Sequence, residues 1–85
     1  MQLIARYDIA DYDRWKAAFN GQSEALGQAG LSVLQIWRED GAARVFVLYQ
    51  LSDRGRAEKA LAAMGDLIAA AGGVSASEYH YVRTA

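Results

Sequence analysis

Two kinds of hydrophobic repeat alternate along the chain, and their order is compatible with few folds. Segments with a two-residue period, typical of strands, alternate with segments that repeat apolar residues every three or four positions, as helices do. The predicted strands are 2–9, 31–39, 44–51 and 77–83, and the predicted helices are 12–29 and 54–71. This β-α-β-β-α-β order is that of the ferredoxin-like split βαβ motif. We therefore predict an α+β fold, with a four-stranded antiparallel sheet and two helices on one face.

Residues at the helix ends agree with these boundaries. Asp11 precedes the first helix and Ser52-Asp53 precedes the second, where a side-chain oxygen can accept hydrogen bonds from the first turn. Gly30 follows the first helix and Gly72-Gly73 follows the second, as expected of residues that end helices in the left-handed conformation. The chain has no repeat and no linker, so residues 1–85 are predicted to form a single ferredoxin-like domain.

Composition excludes several classes of site and partner. The chain has no cysteine and one histidine, so it cannot supply disulfides or three good nitrogen or sulfur metal ligands. We predict neither a bound metal nor a cofactor. The net charge is −1 and no basic stripe is present, which argues against a nucleic-acid partner.

The same composition gives an expectation for location. No apolar run approaches the roughly 20 residues that cross a bilayer, and the N-terminal segment lacks the features of a signal peptide. We expect a cytoplasmic protein without membrane contact. The abundance of Ala, Gly and Arg suggests a bacterial origin.

Apolar residues on both sides of two strands predict a homodimer. In the third strand, Val45 and Val47 lie on one side and Phe46 and Leu48 on the other. In the second strand, Leu34 and Ile36 lie on one side and Val33 and Trp37 on the other. Two helices cover only one sheet face, and an apolar face left open usually marks an interface. We place the helices on the Val45 side and the dimer partner on the Phe46 side; the alternative is a tolerated, partly exposed apolar face.

A family resemblance rests on several segments of the chain. These are IADYDRWKAAF at the start of the first helix, the Trp37-Arg38 pair, the apolar third strand and MGDLIAAAGGV in the second helix. Together they resemble the dimeric α/β-barrel superfamily, and most closely its small bacterial members described as antibiotic-biosynthesis-monooxygenase-like or cyclase-like. The resemblance implies homodimers in which two sheets face one another, with a small pocket between sheet and helices in each subunit. It does not imply one chemistry, because members include cofactor-independent oxygenases, isomerases and haem-handling enzymes.

Six residues are candidates for a site in that pocket. His80 titrates near neutral pH and is the candidate base or hydrogen-bond donor; the alternative is a surface or interface histidine. Tyr49 is the second catalytic candidate, because a buried hydroxyl on a central strand needs a partner. The predicted substrate-binding residues are aromatic: Tyr7, Trp15, Phe19 and Trp37. The alternative for most of the aromatic residues is a dense core and a dimer interface.

Two functions follow from this site. The first is a small cofactor-independent enzyme, monooxygenase-like or cyclase-like, that acts on an apolar or aromatic molecule and stabilises developing negative charge with hydrogen-bond donors. The second is a non-catalytic dimer that binds a small ligand or a protein. The lack of a recognisable acid–base pair favours the second, and the family resemblance favours the first.

Overall fold

The computed structural model describes residues 1–85 and contains three helices and four strands. The strands are β1 (Gln2–Ile9), β2 (Leu31–Arg38), β3 (Arg44–Leu51) and β4 (Val74–Val82). The helices are α1 (Tyr12–Asn20), α2 (Ser23–Gln28) and α3 (Arg54–Gly72). The strand order in the sheet is β2-β3-β1-β4, and every neighbouring pair is antiparallel. The predicted ferredoxin-like fold is confirmed, with β1 and β3 as the central strands.

The two faces of the sheet differ sharply in burial. Leu3, Ala5 and Tyr7 on β1 are buried, as are Val45 and Val47 on β3, which they meet across the strand pair. The residues between them are half-buried and form the face without helices, called the open face below; it includes Ile4, Arg6, Asp8, Phe46 and Leu48. The side of β3 predicted to face the helices is therefore correct.

The helices begin and end as local chemistry dictates. The Asp11 side chain accepts a hydrogen bond from the Arg14 amide, and the Asp53 side chain accepts one from the Gly55 amide, so both predicted N-caps are present. Gly73 caps the C-terminus of α3, and its φ of 69° is left-handed. None of the helices is long and apolar enough to cross a membrane.

The prediction of a single first helix is wrong. The segment predicted as one helix over 12–29 is two, because the helix α1 ends at Asn20 and α2 begins at Ser23. Gly21 and Gln22 separate them, and Gln22 has the non-helical angles φ −102° and ψ 2°. Glycine and asparagine are poor helix formers, so the chain can turn here at little cost and bury Leu26 in the core.

Two strands also differ from their predictions. A bulge between Val33 and Gln35 shifts the register of β2, so Val33 and Ile36 lie opposite the buried Tyr49 and Val47. Val33 and Trp37 were predicted to share one side of the strand, but they lie on different sides. Of the two, Trp37 is the one on the open side, opposite Phe46. Strand β4 begins at Val74 instead of residue 77, directly after the glycine pair that ends α3.

Candidate functional site

A groove of about 530 Å³ lies between α3 and β4, on the helix side of the sheet. Its volume is within the range of small-molecule sites. Leu61, Met64 and Ile68 of α3 form its apolar wall, and the Tyr7 side chain from β1 contributes to it from the sheet. Its β4 side contains Ser75, Ser77, Tyr79 and Tyr81.

Small residues on the two facing elements keep this groove open. Ala62, Gly65 and Ala69 line it from α3, while Ser77 lies beside Tyr7 in the strand pair. A Cβ atom added at Gly65 would meet nothing within 4 Å. In contrast, Gly72 at the end of α3 is so close to α1 that an added Cβ would lie 3.2 Å from the Trp15 Cα atom. Helix α3 is thus held against α1 and leaves the helix-side face of β4 partly uncovered.

Two buried tyrosine hydroxyls meet behind the groove. The oxygen atoms of Tyr7 and Tyr49 are 3.0 Å apart, and their residues are only 3% and 0% exposed. The Tyr79 ring meets the Tyr7 ring edge-on, with 5.9 Å between the ring centroids. Burial raises the pKa of Tyr7 and of Tyr49 well above the ordinary tyrosine value, so both hydroxyls stay protonated at neutral pH.

The charged residues that line the groove are both acidic. Glu58 and Asp66 of α3 are exposed at its margin. The Glu58 carboxylate accepts a hydrogen bond from the Arg54 guanidinium at 2.8 Å. That guanidinium also lies 4.1 Å from the centroid of the Tyr81 ring, so a cation packs on one of the rings that line the groove.

The structure brings one of the six predicted site residues, Tyr7, to the lining of this groove. Trp15, Phe19 and Tyr49 are fully buried behind it, where the Trp15 and Phe19 rings stack with 4.9 Å between their centroids. These residues pack into the core, which was the alternative interpretation of the aromatic set.

His80 and Trp37 lie on the open face, away from the groove. His80 is opposite Ile4 in the β1–β4 pair, and its Nε2 atom is 3.5 Å from a Glu78 carboxylate oxygen. Trp37 is 47% exposed on the edge strand β2. Because side chains alternate across a strand, His80 points to the side opposite Tyr79 and Tyr81. Within one chain, His80 and Tyr49 therefore do not meet in one pocket.

Sequence reasoning missed the β4 and α3 residues that line the groove. Tyr79 and Tyr81 flank His80 with a two-residue spacing, so the choice of His80 as a pocket residue excluded them. The available signal was the concentration of small residues in α3 together with a glycine inside the helix, since such a glycine weakens a helix and usually has a packing reason.

The open face combines an apolar centre with paired charges. Ile4, Phe46, Leu48 and Val82 are half-buried there, although no helix covers them. The Asp8 carboxylate accepts a hydrogen bond from the Arg44 guanidinium at 2.6 Å, and Arg6 lies 3.0 Å from Glu78. No group of three or more His, Asp or Glu side chains converges as metal ligands would.

The sequence matches no family model and no curated protein, but solved structures share its fold. SCO4226 from Streptomyces coelicolor A3(2) has a TM-score of 0.66 at 10% identity, covering 100% of this chain and 99% of its own. SnoaB, a cofactor-independent oxygenase from Streptomyces nogalater whose structure is that of a mutant, has a TM-score of 0.65 at 15% identity, covering 99% and 93%. A NIPSNAP domain protein from Burkholderia xenovorans has a TM-score of 0.62 at 11% identity, covering 100% and 95%.

These likenesses concern the fold. They show that the chain shares its ferredoxin-like α+β fold with these proteins, as the sequence predicts. Identities of 10–15% do not transfer a substrate or a reaction.

Proposed function

We propose that this chain binds a small apolar or aromatic molecule in the groove between α3 and β4 and acts on it without a cofactor. The observation that supports this proposal best is a groove of about 530 Å³ with apolar walls and a protonated hydroxyl, that of Tyr7, among its lining residues. Ligand sites typically combine a mostly apolar lining with a few polar groups that orient the ligand.

The groups in the groove suit the formation of an enolate or phenolate. The Tyr7 hydroxyl can donate a hydrogen bond to an oxygen atom on which negative charge develops. Glu58 and Asp66 are the carboxylates beside the groove that can accept the proton lost by the ligand. In the oxygenase version, the resulting carbanion reduces dioxygen: an activated CH₂ group becomes a carbonyl, and the second oxygen atom leaves as water.

Proton exchange tests the enzymatic step directly. Indanone has a CH₂ group made acidic by its carbonyl, and its exchange with deuterated water can be followed by NMR. We expect the protein to accelerate this exchange above the rate given by free acetate at equal carboxylate concentration. Replacement of the pair by Glu58→Gln and Asp66→Asn should remove the acceleration, by roughly 10²-fold or more if either carboxylate is the base.

The non-catalytic binding module is the second candidate, and the position of His80 favours it. The groove of one chain holds no histidine, and four of the predicted site aromatics are not at its surface. Under this interpretation indanone binds and shifts the NMR signals of groove residues, but its exchange is not accelerated. If neither binding nor exchange occurs with any aromatic ketone tested, the proposed site is wrong.

We also propose that the chain is a homodimer through its open face. Ile4, Phe46 and Leu48 form an apolar strip across adjacent strands, and Trp37 extends it to the sheet edge. A second sheet placed on this strip would remove it from water, which is the dominant favourable contribution in protein association. The half-exposed ion pairs of Asp8 with Arg44 and of Arg6 with Glu78 would lie toward one end of that interface.

A further inference from the structure

The direction of the hydrogen bond between Tyr7 and Tyr49 determines what the groove offers to a ligand. Tyr49 is completely buried, and its hydroxyl has one hydrogen-bond partner, the Tyr7 oxygen. A buried hydroxyl proton without an acceptor is costly, so Tyr49 is the donor and Tyr7 the acceptor. The reverse direction would leave the Tyr49 proton in the core with no acceptor.

The Tyr7 proton then points away from Tyr49. Tyr7 lines the groove and Tyr49 does not. Tyr79, which also lines the groove, is the second hydroxyl-bearing residue that interacts with Tyr7, so it can accept this proton and pass a donor on to the groove. Because Tyr49 is completely buried, the Tyr7 proton is directed toward the residues that line the groove.

The charges beside the groove impose a second condition on the ligand. Both charged lining residues, Glu58 and Asp66, are acidic, and the nearby Arg54 already pairs with Glu58. A ligand with a carboxylate would enter a site with two like charges and no free cation among its lining residues. An uncharged ligand avoids this repulsion.

We infer that the groove selects uncharged ligands that present a carbonyl oxygen to the Tyr7 hydroxyl, with Tyr49 as a positioning residue that orients this donor. The inference rests on the proposed binding function, but it holds whether or not a reaction follows. It names a specificity-determining residue, Tyr7, and a ligand class defined by one acceptor oxygen and the absence of a carboxylate.

Two ligands of the same shape test the role of the acceptor oxygen. Fluorenone has a carbonyl, and fluorene has the same fused rings without it. We expect fluorenone to bind the wild-type chain up to about tenfold more tightly, the effect of one hydrogen bond, in an NMR chemical-shift titration that follows the Gly65 amide. The preference should disappear in Tyr7→Phe and shrink in Tyr49→Phe, although fluorene binds all three proteins alike.

The ratio of the two affinities separates this role from a structural one. A variant that merely loosens the fold weakens both ligands equally and leaves the ratio unchanged. An unchanged preference in Tyr7→Phe would overturn the inference, and its loss in Tyr79→Phe alone would reassign the donor to Tyr79. Equal binding of both ligands by the wild type would also overturn it, while the binding function itself would stand. If neither ligand binds, the proposed binding function is wrong, and the inference about selectivity is wrong with it.

A carboxylate derivative of fluorenone tests the charge condition. We expect it to bind several-fold more weakly than fluorenone, with a difference that shrinks as salt is added, because salt screens charges at an exposed margin. The double replacement Glu58→Gln with Asp66→Asn should restore its binding to nearly that of fluorenone. Tighter binding of the carboxylate by the wild-type chain would refute the charge condition.

Discussion

At the scale of single residues, the tyrosine pair should respond unequally to removal of either hydroxyl. Tyr7→Phe leaves the fully buried Tyr49 hydroxyl without an acceptor, whereas Tyr49→Phe leaves a Tyr7 hydroxyl that still has Tyr79 as a partner. We expect a loss of about 1–3 kcal/mol in the free energy of unfolding for the first and about 0.5–1.5 kcal/mol for the second. Urea unfolding of both variants measures the difference, and a larger loss in Tyr49→Phe would contradict the assigned bond direction.

Asp8 should make stability depend on pH in the acidic range. A hydrogen bond from Arg44 holds the pKa of Asp8 below its usual value. A carboxyl group whose folded pKa is lowered stabilises the fold above its unfolded pKa, and that contribution is lost as the pH falls through the folded pKa. Asp8→Asn should therefore be less stable than the wild type at neutral pH, and the difference should shrink below about pH 4. A difference that stays constant in urea unfolding across this range would contradict the prediction.

At the scale of elements, the spacing between α3 and β4 is what makes a binding groove, and Gly65 offers a way to fill it. An added Cβ at Gly65 meets nothing within 4 Å, so a side chain can start there without strain, and Gly65→Leu should place an apolar side chain in the groove. Replacing a glycine inside a helix should raise stability by up to about 1 kcal/mol. We expect Gly65→Leu to abolish fluorenone binding while its melting temperature is unchanged or higher.

Gly27 provides the matched control. It also lies in a helix, α2, with nothing within 4 Å of an added Cβ, but it does not line the groove. Gly27→Leu should keep full fluorenone binding. If both variants bind equally well, the ligand does not occupy the space beside Gly65.

A helix or strand was predictable from the sequence where a regular hydrophobic repeat ran through all of it. Alternation on β1 and β3 predicted the buried face, and the helical period predicted α3, because in both cases a continuous core face selects the apolar residues. The break between Asn20 and Ser23 and the bulge at Leu34 were missed. Both irregularities depend on how the whole domain packs. The apolar residues around them keep a regular spacing, so the hydrophobic pattern gives no sign of either one.

The site was less predictable than the fold, for a reason that Tyr7 and His80 illustrate. Both lie on the paired strands β1 and β4, but the register places Tyr7 opposite Ser77 on the helix side and His80 opposite Ile4 on the open side. A shift of one residue in that register would exchange the two faces. The sequence identifies residue types able to do chemistry, whereas the register determines which of them meet.

At the scale of the whole molecule, the sheet separates two surfaces with different chemistry. The helix side holds the groove with its tyrosine hydroxyls and acidic margin, and the open side holds an apolar strip flanked by ion pairs. Substitutions on one side should therefore leave the other largely unaffected, because the buried layer of β1 and β3 lies between them. This separation allows dimerisation and ligand binding to be tested independently.

Leu48→Asp tests the homodimer. Leu48 lies on the open face, opposite Ile4 on β1 and Gln35 on β2, near the middle of the apolar strip. In light scattering at micromolar concentration, the wild type should have twice the 9.3 kDa mass of the chain. A carboxylate at position 48 would be buried without a partner in the dimer, at a cost of several kcal/mol, so the variant should be a monomer or should unfold. Leu67→Asp is the matched control, because Leu67 is 57% exposed on α3 and should tolerate the same change as a dimer. A wild-type chain that is a stable monomer, or a Leu48→Asp variant that remains a dimer with an unchanged melting temperature, would show that the open face is not the interface.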